Sequence, residues 1–310
     1  MAELRAARLG LLILVVGALL VAFSPIFVRL SELGPTATAF HRTFLALPVL
    51  FIWMTTENIH GGIRESKRQS PKRNDMWLLA LAGLFFAGDL ATWHWAITLT
   101  SVANATLFAN SAPIFVTLGA WLLFRERVTP LFLLAMATAL LGATMVVGSS
   151  FALDRTHVMG DGIGVVTGMF WAAYQLTVKH LRTRFSTATI MMWSTLVTTI
   201  ALLPLAILSD EALIAPTLYG WGILLALAWL SHAGGQGAIA YALAHLPSAF
   251  SSLVILLEPL AAAVLAWLIL NEALGPLQAA GGAVVLASIV VARRATRGTG
   301  SGVAQKEPIP

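Results

Sequence analysis

Long apolar stretches alternate with short polar joints along the whole chain. Apolar runs cover about Leu9–Leu30, Thr36–Met54, Trp77–Thr98, Ala103–Phe124, Pro130–Ser149, Gly160–His180, Thr187–Leu208, Leu218–Ala240, Pro247–Leu270 and Pro276–Val291. Most approach the ~20 residues that a helix needs to cross ~30 Å of hydrocarbon. They lack the strict two-residue alternation of a membrane barrel strand. The pattern predicts an all-α integral membrane protein with ten transmembrane helices. The first run is long, carries Arg29 at its end and has no small-residue cleavage site, so a retained helix is expected and not a signal peptide.

Composition agrees with the pattern. Hydrophobic residues make up 58% of the 310 and charged residues 11%, against roughly 45–50% and 25% in soluble domains. The mean hydropathy is +0.84. Cysteine is absent, so neither a disulfide framework nor a thiolate metal site can form. A net charge of +5 could suggest a nucleic-acid partner, but the basic residues lie in joints and tails, and no such partner is expected. They report orientation instead. Arg5 and Arg8, the Arg64–Arg73 joint, Arg125 and Arg127, Lys179, Arg182 and Arg184, and Arg293, Arg294, Arg297 and Lys306 fall on one side; Arg29 and Arg155 fall on the other. By the positive-inside rule both termini are expected in the cytoplasm, with the chain in the inner (plasma) membrane.

An internal repeat underlies the ten runs. ANSAPIFVTLGAWLLFRERVTP (Ala109–Pro130) and ILLEPLAAAVLAWLILNEALGP (Ile255–Pro276) align without a gap, placing Pro113 on Pro259, Trp121 on Trp267, Glu126 on Glu272 and Pro130 on Pro276. Five predicted helices per copy is an odd number, so the second copy enters the membrane from the opposite face. Such inverted repeats are common in secondary transporters, whose substrate sites lie near mid-membrane between the copies. The expected divisions are 1–153 and 154–292 for the two repeats and 293–310 for a disordered cytoplasmic tail.

With this twice-used proline, tryptophan and glutamate spacing, the chain resembles the drug/metabolite transporter (DMT) superfamily, in particular its ten-helix EamA-type exporters, from Gly10 to Val291. The resemblance implies a central cavity lined by the first four helices of each half, with the fifth and tenth packed at the periphery. It also implies export of amino acids, other small metabolites or cationic drugs. The partners it implies are a small-molecule substrate and membrane lipid, with protons as a candidate coupling ion and no cofactor.

Ionisable residues inside the runs are the candidate site, because each costs about 2.5–3.5 kcal/mol at the bilayer centre on insertion scales. Asp89 and Glu258 are the two intramembrane carboxylates, one in each half. At helical spacing Asp89 shares a face with Phe86 and Trp93, while His94 lies about 140° away. Polar stripes are read at Thr106, Asn110, Pro113 and Thr117, and at Trp229, His232 and Gln236; Trp171 and Tyr174 stand three apart. The substrate-binding or coupling set is therefore Asp89, Trp93, His94, Asn110, Trp171, Tyr174, Trp229, His232, Gln236 and Glu258. His41 and Arg42 stay open between lining the cavity and a structural or interfacial place. Glu126 and Glu272 are expected to favour the positive end of the helix that starts at the following proline.

Other function classes fit poorly. An intramembrane aspartyl protease needs a second intramembrane Asp and Gly-x-Gly-Asp, where this chain has Phe86-Ala87-Gly88-Asp89. The absence of a P-loop and the short joints exclude an ATP-driven pump within the chain. No enzymatic activity or metal is expected. A channel, a non-transporting scaffold, or an exporter of cationic drugs or nucleoside-like metabolites remains as an alternative to amino-acid export.

Overall fold

The computed structural model describes residues 2–61, 71–99, 108–147, 155–271 and 275–300. In chain order it holds α1 (Ala2–Val21), α2 (Ser24–Leu30), α3 (Pro35–Phe44), α4 (Leu47–Gly61), α5 (Met76–Leu99), α6 (Ala112–Phe124), α7 (Pro130–Val147) and α8 (Arg155–Leu181). There follow α9 (Thr187–Leu208), α10 (Leu218–Ala226), a π-helical segment (Leu227–Gln236), α11 (Gly237–Ala242), α12 (Ser248–Ile255), α13 (Leu257–Leu270) and α14 (Pro276–Gly300). Among the described residues, seven helical segments are long and apolar enough to cross a membrane, and Ala112–Phe124 and Pro130–Val146 are shorter apolar helices. Hydrocarbon offers no partner to a backbone N–H or C=O, so a spanning segment must satisfy these groups within its own helix. The chain is a multi-pass membrane protein. Leu12, Leu122, Leu134 and Leu208 accordingly stand exposed on its outer faces.

Several runs that read as continuous are broken, and prolines mark the breaks. Pro25 lies just after the α1–α2 break, Pro48 just after the α3–α4 break, Pro113 just after the turn at Asn110–Ser111, and Pro259 just after the turn at Leu256. Proline has no N–H to donate and its ring crowds the carbonyl four residues earlier, which opens the helix at that point. The last two breaks fall at equivalent places in the aligned segments, and each is bridged by a tight turn: Ser111 N–H donates to Phe108 O at 3.0 Å, and Leu256 N–H to Leu253 O at 3.2 Å. The same segments also end alike. Arg125 closes α6 in the left-handed conformation at φ 54° and Asn271 closes α13 at φ 55°.

Small residues set the helix crossings. At the antiparallel crossing of α7 and α14, a Cβ on Gly281 would stand 2.6 Å from the Gly142 carbonyl oxygen, so glycine is what lets the backbones meet. Thr138 and Ser288 share a hydrogen bond of 2.9 Å on one side of this point, and Gln278 donates to Val146 O at 3.2 Å on the other. α5 packs on α8 and α9, where Thr198 Oγ1 donates to Gly83 O at 2.8 Å. α1 lies along the π segment and α11, and Ser231 Oγ donates to Leu20 O at 2.9 Å.

α14 continues past Arg293 to Gly300, with Ala295 buried.

Candidate functional site

The helix breaks surround a cavity of about 150 Å³. Ser24 and Pro25 reach it from the α1–α2 break, Asn110 from the turn before α6, Gln236 from the end of the π segment, and Glu258 from the start of α13. Regular helices supply the rest: Ala39 and Arg42 from α3, Phe86, Asp89 and Trp93 from α5, and Thr167 and Trp171 from α8. Irregular backbone at membrane depth is tolerated where it lines a cavity, and here the broken segments do so.

Of the residues singled out in the sequence, Asp89, Trp93, Asn110, Trp171, Gln236 and Glu258 meet at this cavity. Phe86, Asp89 and Trp93 share a face because α5 is uninterrupted there. Tyr174 and His232 lie one layer behind. The Tyr174 ring stacks on Trp171 with centroids 5.4 Å apart and packs at a tilt against Phe86 at 5.0 Å, and its hydroxyl points to Met191 Sδ at 3.7 Å. His232 packs against Phe86 at 5.3 Å, its Nε2 lies 2.9 Å from Thr195 Oγ1, and its Nδ1 has no hydrogen-bond partner. These two rings fix the position of Phe86 in the cavity wall.

Trp229 is not brought to the cavity. It is half exposed on the outer face, beside Trp53 and Tyr241, and its Nε1 donates to Leu45 O at 3.0 Å. The expected stripe assumed α-helical periodicity, but Leu227–Gln236 is π-helical. With i→i+5 bonding, residues four to five apart share a face, so His232 and Gln236 stay together while Trp229 turns away. His94 lies on α5 with its side chain outside the described residues, as do Thr106 and Glu272 entirely. Thr117 is buried and donates to Met136 Sδ at 3.4 Å, a packing contact.

Arg42, left open in the sequence, belongs to the cavity. It is buried, its Nη1 donates to Ser24 Oγ at 2.9 Å, its Nε has no hydrogen-bond partner, and its guanidinium lies 5.8 Å from the Phe86 centroid. Glu258 and Asp89 line the same cavity. Its neighbour His41 is buried elsewhere, with Nδ1 2.8 Å from Ala37 O and its ring edge-on to Trp221. Thr167 was also missed; its hydroxyl donates to Thr92 Oγ1 at 2.9 Å across α5 and α8. A lone threonine in an apolar run carries no signal that separates such a lining position from packing. Two polar atoms beside the cavity have no hydrogen-bond partner among the described residues, Asn110 Nδ2 and Gln236 Oε1. Among the described residues no three His, Asp or Glu side chains converge as a metal site.

Glu126 does cap a helix, but not the one expected. α7 is capped by its own Thr129, whose Oγ1 accepts from Phe132 N–H at 3.1 Å. The Glu126 carboxylate instead accepts from Ser248 N–H at 2.9 Å and from Lys179 Nζ at 2.6 Å, which ties the end of α6 to the first turn of α12.

Comparison with known proteins agrees with this architecture. The EamA-like transporter family matches over residues 8–148 and again over 158–294. An uncharacterized transporter of Archaeoglobus fulgidus is 28% identical, over 90% of this chain and 95% of its own. The pseudopaline exporter of Pseudomonas aeruginosa is 24% identical over 89% and 93%. A protein of Streptantibioticus cattleyicolor described as a probable terminal-alkyne amino-acid exporter is 27% identical over 74% and 76%. A crystal structure with 18% identity superposes on 93% of this chain and 98% of its own with a TM-score of 0.76, a likeness of fold.

Proposed function

The chain belongs to the EamA-like transporter family, and from that premise we propose that it is a secondary exporter of small metabolites, amino acids or related compounds, working by alternating access through the central cavity. The observation that carries this is where the charges lie. Arg42 and Asp89 from the first half and Glu258 from the second half line one cavity, together with Asn110 and Gln236. A structural ion pair or an interfacial anchor has no need of a space between its groups. A site that binds and releases a polar solute does.

Alternating access here rests on an inverted repeat of ten helices. Support for it comes from the two successive family matches and from the shared backbone departures at Asn110 and Leu256 and at Arg125 and Asn271. The α7–α14 crossing adds reciprocal contacts: Thr138 meets Ser288, the aligned counterpart of Gly142, and Gly142 meets Val284, the counterpart of Thr138. Beside the seven long spans, the two shorter apolar helices and α8 lie where the sequence predicts the fourth, fifth and sixth helices, which supports the ten-helix reading. The lysine and arginine asymmetry favours cytoplasmic termini in the inner membrane. Relatives named as exporters of pseudopaline and of an amino acid favour the substrate class.

Counterflow in proteoliposomes, run with the proteinogenic amino acids, nucleosides and cationic drugs, tests the proposal. Preloaded unlabelled amino acid should drive transient accumulation of its labelled form. A channel cannot support such accumulation, a scaffold gives no flux, and counterflow confined to drugs or nucleosides replaces the amino-acid assignment.

A further inference from the structure

The charges around the cavity are held apart, and this separation says which part of a substrate goes where. Arg42 is 8% exposed. A guanidinium carries five N–H donors, and among the described residues Arg42 uses one hydrogen bond, to Ser24 Oγ at 2.9 Å, while Nε is unpartnered. Asp89 and Glu258 line the same cavity as Arg42. Yet among the described residues neither lies within the 4.0 Å of an ion pair with it, and neither carboxylate accepts a side-chain hydrogen bond. One guanidinium and two carboxyl groups therefore ring a space of about 150 Å³ without closing on one another.

Unpaired buried charges are costly, and partners of opposite sign relieve the cost. A monocation answers the carboxyl groups but leaves the unused donors of Arg42 without an acceptor. A monoanion answers Arg42 but leaves the two carboxyl groups without a donor. A molecule with a carboxylate at one end and an ammonium at the other matches both ends. Resting on the exporter proposal above and extending it, we propose that Arg42 is the carboxylate receptor and that Asp89 and Glu258 receive the ammonium, so that the transported class is zwitterionic. The planar donor fork of a guanidinium suits a carboxylate better than an ammonium would. Asn110 Nδ2, a donor without an acceptor, and Gln236 Oε1, an acceptor without a donor, complete the polar lining. The size agrees, since a cavity of roughly 150 Å³ elsewhere holds a benzene molecule. Trp93, Trp171 and Phe86 then face the substrate's own side chain.

The test uses the full-length protein in proteoliposomes and, as probe, counterflow of the labelled amino acid that accumulates most. Competitors come in matched sets: the free amino acid, its amide, which keeps the ammonium but has no carboxylate, and its N-acetyl form, which keeps the carboxylate but has no ammonium. The free amino acid should compete at least tenfold better than either. Arg42→Gln should weaken competition by the free acid at least tenfold and leave the amide unchanged, whereas Arg42→Lys should be intermediate. Equal competition by amide and free acid overturns the assignment in the wild type alone, so it stays decidable if the variants fail to fold. Uniform weakening of all three competitors in Arg42→Gln also overturns it, as does an unchanged profile. Absence of any amino-acid counterflow in the wild type is a different failure, which removes the amino-acid assignment above together with this one.

Discussion

Glu126, at the end of α6, holds the first backbone amide of α12 at Ser248, more than a hundred residues further along the chain. Its carboxylate accepts from Ser248 N–H at 2.9 Å, from Ser248 Oγ at 3.1 Å and from Lys179 Nζ at 2.6 Å, and Lys179 also donates to Leu246 O at 3.0 Å. One side chain thus satisfies a helix N-terminus and joins the two halves. Losing a capping acceptor costs about 1 kcal/mol. Glu126→Ala is expected to lower the melting temperature in detergent by about 2–4 °C or more. Glu126→Gln, which keeps an acceptor for Ser248 but loses the charge facing Lys179, should fall between. Equal melting temperatures for all three proteins would show that the contact contributes nothing.

The α7–α14 crossing should be intolerant of even one methyl group. On Gly281 the added Cβ would be 2.6 Å from both the Gly142 carbonyl oxygen and Met145 Cβ, so the helices must separate. Overpacking of this kind costs about 1–3 kcal/mol. Gly281→Ala should reduce thermal stability, whereas Gly162→Ala on α8, where a Cβ meets nothing within 4 Å, should be neutral or slightly stabilising. Identical melting curves for the two variants would contradict the crossing.

Topology is open to a direct check because the chain has no cysteine. Single cysteines at Thr183, in the turn after α8, and at Asp210, after α9, are expected to react with an impermeant reagent from opposite sides of the membrane, Thr183 from the cytoplasm. Labelling of both from one side would remove the inverted repeat and the orientation together.

Trp229 marks the limit of what the sequence could reveal. Where helices are regular, spacing alone places side chains correctly: Phe86, Asp89 and Trp93 lie on one face of α5 and line one cavity. Ten-residue lengths of π-helix have no comparable sequence signal, and α-helical spacing puts Trp229 on the face of His232 and Gln236 where the π-helix does not. Arg42 was ambiguous for another reason, since its depth and partners depend on which helices pack beside α3. Trp229→Phe removes the N–H that reaches Leu45 O and leaves the cavity untouched. It should cost about 1 kcal/mol of stability with no change in the KM for transport, while Trp171→Phe should change KM. A KM shift in Trp229→Phe as large as that in Trp171→Phe would return Trp229 to the site.

Asp89 and Glu258 approach one cavity from opposite halves of the chain, and their isosteric amides are the cleanest probes of what the charges do. Asparagine and glutamine keep the shape and one acceptor of each carboxylate but cannot ionise. If either acid only held neighbouring helices together, its amide would insert, fold and transport normally, because a helix-to-helix hydrogen bond in the membrane is worth only ~0.6 kcal/mol and an amide can still make one. A group that exchanges a proton, or pairs with a substrate ammonium, cannot be replaced in this way. Asp89→Asn is therefore expected to reach wild-type abundance and melting temperature yet lose most net efflux, and what efflux remains should no longer vary with pH. Glu258→Gln is expected to act in the same direction, and the two effects should not add, because both carboxylates serve one cavity with one cation. Efflux by Asp89→Asn at the wild-type rate, with the wild-type pH profile, would assign the carboxylate to structure alone.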